Sequence, residues 1–70
     1  MLRNLLETMR SKDISRNDLA ELLGASRKTI DNKVEEVTEF TKSEMFKVKL
    51  IFPQYTFEYL FASDDKKDTA

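Results

Sequence analysis

The chain has no cysteine and no histidine. Without cysteine there are no disulfides, no thiolate metal sites and no cysteine nucleophile. Without histidine the commonest metal ligand and the side chain best suited to proton transfer near neutral pH are missing. A single glycine excludes a glycine-rich phosphate loop. One glycine and one proline are too few turn residues for a sheet protein and favour a compact all-α domain. Apolar runs are short, as at residues 50–52, so no membrane span is expected. No basic segment followed by a long apolar stretch suggests a signal peptide, and a cytoplasmic location is expected. Acids such as Glu7, Asp18 and Glu21 are interleaved with basic residues, the ordinary pattern of solvated helix faces. No enzymatic activity, cofactor, metal or small-molecule ligand is therefore expected.

Charge of one sign is also lacking. The net charge is −1, whereas nucleic-acid binders usually carry a basic excess. Residues 1–36 hold seven basic and seven acidic side chains, and residues 37–62 hold three of each. Such a balance is compatible with a basic face only if the fold segregates the charges.

What the chain does have is helical periodicity with strong punctuation. Leu2, Leu5, Leu6 and Met9 recur at helical spacing and predict a first helix ending near Lys12. Ser15 and Asp18 read as a capping box, with Ile14 placed to staple against Leu19, and a second helix spans residues 16–23. Gly24 follows as a C-cap. Ser26 caps a third helix, residues 27–35, with Ile30 and Val34 inward and Arg27, Lys28, Asp31, Asn32 and Lys33 on a polar face. Thr41 and Glu44 form a second capping box for a fourth helix, residues 42–52, which carries Met45, Val48, Ile51 and Phe52 on one side and stops before Pro53. Thr56 caps a short fifth helix, residues 57–61. The division expected is one domain over residues 1–62 and a polar, disordered tail over residues 63–70.

Two helices joined by a short glycine-containing turn form the helix-turn-helix pattern. It needs a small residue at the helix crossing (Ala20), a turn residue tolerant of positive φ (Gly24) and apolar anchors on the back of the second helix (Ile30, Val34). The stretch RNDLAELLGASRKTIDNKV, residues 16–34, resembles the Cro and repressor (XRE-like) helix-turn-helix regulators of phages and mobile elements. TEFTKSEMFKVKLIFP, residues 38–53, and TFEYLF, residues 56–61, look like the fourth and fifth helices of small regulators of this kind.

The resemblance covers about residues 2–61 and implies a five-helix, lambda-repressor-like domain that binds a double-stranded DNA operator. It places the third helix in the major groove. It implies base contacts by Ser26, Arg27, Lys28, Asp31 and Asn32, and phosphate contacts by Arg16, Lys33, Lys42 and Ser43. Asp31 also stands one turn after Arg27 and Lys28, so an internal ion pair is an equal alternative for it. Many relatives follow the recognition helix with Asn-Gly and a basic residue, where this chain has Glu35, Glu36 and Val37. The glycine C-cap is thus expected to be lost, and with Glu39 the acids are expected to weaken non-specific affinity.

All seven aromatics fall between residues 40 and 61, more than a domain of this size buries easily. Phe46 and Leu50, off the inward stripe of the fourth helix, are expected to form a homodimer patch with Phe57 and Phe61. The competing functional reading is a protein-interaction module, an antirepressor or scaffold that has lost DNA binding. The acidic balance and the run of Glu35, Glu36 and Glu39 favour that alternative.

Overall fold

The structure, a computed structural model, describes residues 1–63. Positions 64–70 of the expected tail lie outside the described residues. Five helices and, among the described residues, no strand make up the domain: α1 Arg3–Ser11, α2 Arg16–Leu23, α3 Arg27–Val34, α4 Lys42–Ile51 and α5 Phe57–Leu60. Lys12, Glu35, Phe52 and Phe61, expected as the last helical residues, are instead the C-caps of α1, α3, α4 and α5.

Four helices begin on a hydroxyl. Ser15, Ser26, Thr41 and Thr56 each accept a hydrogen bond from the backbone N–H three residues on, which satisfies one of the donors a helix start leaves without a partner. Asp18 and Glu44 close the reciprocal bond to the cap N–H at 3.1 and 2.8 Å, completing the two capping boxes. α1 differs, because Leu2 offers no side-chain cap. Its N–H donates instead to the Val34 carbonyl at 2.9 Å, tying the start of α1 to the last turn of α3.

Three helices end in the same left-handed closure. Asp13, Gly24 and Glu36 have φ of 60°, 70° and 66°. The next N–H reaches back five residues in each case: Ile14 to Met9, Ala25 to Ala20 and Val37 to Asn32, all at 2.8 Å. The left-handed residue itself donates to the carbonyl three residues back, at 3.1 to 3.2 Å. This is the Schellman geometry, in which glycine is the usual residue. The glycine is absent after α3, as expected, but the closure persists: Glu36 adopts the left-handed conformation itself. The hydrogen bonds and the fully buried Val34 hold it there.

The core gathers Leu5 and Met9 of α1, Leu19, Ala20 and Leu23 of α2, and Ile30 and Val34 of α3, closed by Val48, Phe52 and Leu60. Ala20, the small residue of α2, is buried in this core. α2 packs on both α3 and α4, and α1 on α5. Asn4 fastens α1 to α5 by donating to the Tyr59 carbonyl at 3.0 Å. Thr8 is the buried polar residue among the described residues, and its hydroxyl donates to the Asn4 carbonyl at 2.9 Å within its own helix. No helix among the described residues is long and apolar enough to cross a membrane.

Candidate nucleic-acid interface

The turn at residues 24–26 sets the direction of α3. Gly24 reverses the chain, and the Ser26 hydroxyl then starts α3 by accepting from the Thr29 N–H at 3.1 Å and donating to Thr29 Oγ1 at 3.0 Å. Ile30 and Val34 are fully buried, which fixes the rotation of α3 on α2. The opposite side, beginning with Ser26, Arg27 and Lys28, is exposed. Lys28 makes no hydrogen bond or ion pair among the described residues, and the same holds for the half-buried Asn32 side chain.

Arg27 is held, not free. Its Nε donates to Asp31 Oδ1 at 3.1 Å and its Nη1 to Asn17 Oδ1 at 3.2 Å. Arg16, on the first turn of α2, donates through Nη1 to the same Asp31 oxygen at 2.8 Å, and its Nη2 lies 3.9 Å from Glu35. One carboxylate thus bridges two guanidinium groups across the α2–α3 junction. Hydrogen bonds from Arg16 and then from Arg27 hold the Asp31 carboxyl below its ordinary value. Of the two roles left open for Asp31, the internal ion pair is formed.

Lys33 is placed differently from the phosphate-facing position expected for it. Its side chain is only 11 % exposed, and its ammonium pairs with Glu44, donates to the Glu39 carbonyl at 3.2 Å and lies 5.7 Å from the centre of the Phe40 ring. Three acceptors on one side draw it away from solvent and make it a strut between α3 and α4. Burial pushes the Glu44 carboxyl up. Hydrogen bonds from Lys33 and from the Thr41 N–H outweigh that effect and leave it below its ordinary value. Lys42 and Ser43, at the start of α4, are exposed.

Glu36 turns inward along the surface. Its carboxylate accepts from the Ser63 hydroxyl and pairs with the Met1 ammonium, both at 2.7 Å. Ser63, expected to open the tail, is thereby attached to the domain. Glu35, Val37 and Glu39 are exposed.

The expected apolar patch is only partly exposed. Phe46 is 59 % and Leu50 80 % exposed. Phe57 meets Phe46 edge-on at 5.6 Å and lies 6.4 Å from Phe61, which in turn packs edge-on against Phe40 at 5.2 Å. These rings form a row running from the Lys33 strut to the open face of α4. Phe40 stands at the inner end of the row with Phe61 next to it, and Phe46 stands at the outer end.

Asn17 is the residue of this region that sequence reasoning missed. It sits one position after Arg16, on α2 and outside α3, and only the packing of α2 on α3 brings it to Arg27. No family model, curated protein or solved structure matches the chain.

Proposed function

We propose that the chain is a sequence-specific duplex-DNA-binding regulator of the Cro or repressor type. In this reading its fold is lambda-repressor-like, with α2 and α3 as the helix-turn-helix. The observation that carries the reading is the exposed first turn of α3, with Arg27 and Lys28 projecting next to Arg16 and a buried Ile30–Val34 back. A helix of eight residues is about 12 Å long and 10–12 Å across, which matches a major groove about 12 Å wide. Arg27 and Lys28 suit guanine, Asn32 suits adenine, and Ser26 suits several bases. Lys42 and Ser43 supply phosphate contacts that fix the orientation, whereas Arg16, expected among them, is engaged by Asp31. The apolar face of Phe46, Leu50 and Phe57 pairs two copies, which then read half-sites about 34–36 Å apart.

The test is fluorescence anisotropy, at several salt concentrations, on a site that the purified chain selects from random duplex DNA. Affinity should fall steeply as salt rises. Arg27→Ala and Lys28→Ala should each cost about 1–3 kcal/mol on that site and relax the base preference at one position. Salt-independent binding, or variants indistinguishable from the parent, would remove DNA reading from consideration.

A second reading has an observation of its own. Asp31 engages two of the cations near α3 and Glu44 engages a third, so the positive field is weaker than the residue types suggest. That favours a protein-interaction module derived from the same fold. Such a module would show oligomer or partner binding and no salt-dependent affinity for any duplex.

A further inference from the structure

The bridging carboxylate of Asp31 is more than a structural link if the face it lies on reads DNA. A surface pair between mobile arginines holds two side chains in one geometry at an entropic cost. Here the geometry is reinforced from a second side, because Asn17 Oδ1 accepts from Arg27 Nη1 at 3.2 Å. A guanidinium has five N–H donors in a rigid plane. Two are used by Asp31 and Asn17, and three are left for a ligand. The plane of Arg27 is therefore fixed by groups of its own chain before any DNA arrives. Arg16 is turned onto the same oxygen and away from solvent-side phosphate, with its side chain only 26 % exposed.

We propose that Asp31 is a specificity-determining positioning residue, which pre-orients Arg27 for a guanine edge and withholds Arg16 and Arg27 from indiscriminate phosphate contact. This rests on the DNA-reading function proposed above. A phosphate backbone of any sequence must compete with the Asp31 carboxylate for both guanidinium groups. A guanine in the correct place needs only the donors of Arg27 that are already free. The carboxylate thus lowers affinity for random duplex more than affinity for the operator. Discrimination here comes from a penalty on the wrong ligand as well as from contacts to the right one.

The experiment compares the full chain with Asp31→Asn, on the selected site and on random duplex, from 50 to 200 mM salt. Asn has the size of Asp but cannot hold two cations. Freeing two guanidinium groups should steepen the salt dependence by up to about two counterions. The drop in affinity on random DNA over that range then grows by about tenfold. The ratio of specific to random affinity should fall by a similar factor. In Arg16→Gln/Asp31→Asn only one cation is freed, and about half of the added steepness should disappear. Glu21→Gln makes the same change of charge at an exposed position with no ion pair among the described residues, and should leave the ratio unchanged. Asn17→Ala, at an exposed helix position, removes only the side anchor of Arg27. It should lower the ratio without changing the salt dependence, and it carries the test if Asp31→Asn loses its helical circular dichroism.

A parent that binds its selected site while Asp31→Asn and Asn17→Ala keep the same ratio overturns the inference and leaves the DNA reading standing. Full added steepness in the double variant overturns it too, since simple removal of a repelling charge would then explain the gain. A parent that binds no duplex with salt-dependent affinity overturns both.

Discussion

Gly24→Ala isolates the backbone contribution of the turn on which the α2–α3 unit depends. Gly24 has φ +70°, and a Cβ built on it would meet nothing within 4 Å. The methyl group therefore causes no clash, and the cost is conformational. An L-residue in the left-handed region costs roughly 1–2 kcal/mol. Replacing glycine by alanine returns about 0.4–1 kcal/mol by restricting the unfolded chain. The expected net loss is about 0.5–1.5 kcal/mol. A domain this small has roughly 3–5 kcal/mol of stability, so a loss of 1 kcal/mol should lower Tm by about 4–8 °C. Urea unfolding followed by circular dichroism should show a lower midpoint with an unchanged slope. Gly24→Asn should lose less, because Asn tolerates the left-handed region. A loss above about 3 kcal/mol would mean that packing, not φ, is decisive there. No loss, or Asn worse than Ala, would refute the left-handed turn.

Asp13 is the reverse case, with φ 60° and no side-chain hydrogen bond among the described residues: Asp13→Gly should raise stability by roughly 0.5 kcal/mol. Glu36→Gly should gain less in the same urea assay, because it also gives up an exposed ion pair and the Ser63 bond, the pair alone contributing about 0.2–1 kcal/mol. Glu44 has its pKa lowered in the folded state, so its contribution is complete above the ordinary carboxylate value near 4.5 and is lost as pH falls through the folded value. Unfolding midpoints should accordingly be flat from about pH 7 to 5 and fall below about pH 4. Glu44→Gln should cost about 1–3 kcal/mol at pH 7 by leaving the Lys33 ammonium without its carboxylate, and should flatten the acid fall. Phe46→Glu and Leu50→Glu alter exposed positions and should leave monomer stability within about 0.5 kcal/mol. In sedimentation equilibrium they should abolish the dimer expected of the parent at tens of micromolar.

The helices were legible because their starts are written in side-chain chemistry. Ser15 with Asp18 and Thr41 with Glu44 announce capping boxes, and both form as expected. Helix ends were legible where glycine or proline marks them, as at Gly24 and Pro53. Asp13 and Glu36 perform the same closure as Gly24, but Asp only tolerates a left-handed φ and Glu does not signal one at all. Local hydrogen bonds and the buried end of α3 decide it. Leu60, fully buried, escaped notice among the aromatics of α5, because a helix of four residues is too short to display a period.

For the candidate interface, the pattern placed Ser26, Arg27 and Lys28 on the exposed side of α3. It did not foresee Asn17 beside Arg27, nor Lys33 turned onto Glu44. Both depend on how neighbouring helices pack, α2 on α3 in one case and the 35–41 loop and α4 in the other. Residue spacing within a single helix carries no information about either.

Selection of binding sites from random duplex DNA with the purified chain tests the central claim most directly. The expected result is enrichment of a sequence made of two related half-sites about 34–36 Å apart. Guanine should occupy at least one position whose preference is lost in Arg27→Ala. A pool that stays random through successive rounds, with the protein folded and dimeric, would contradict the account and leave the interaction module in its place.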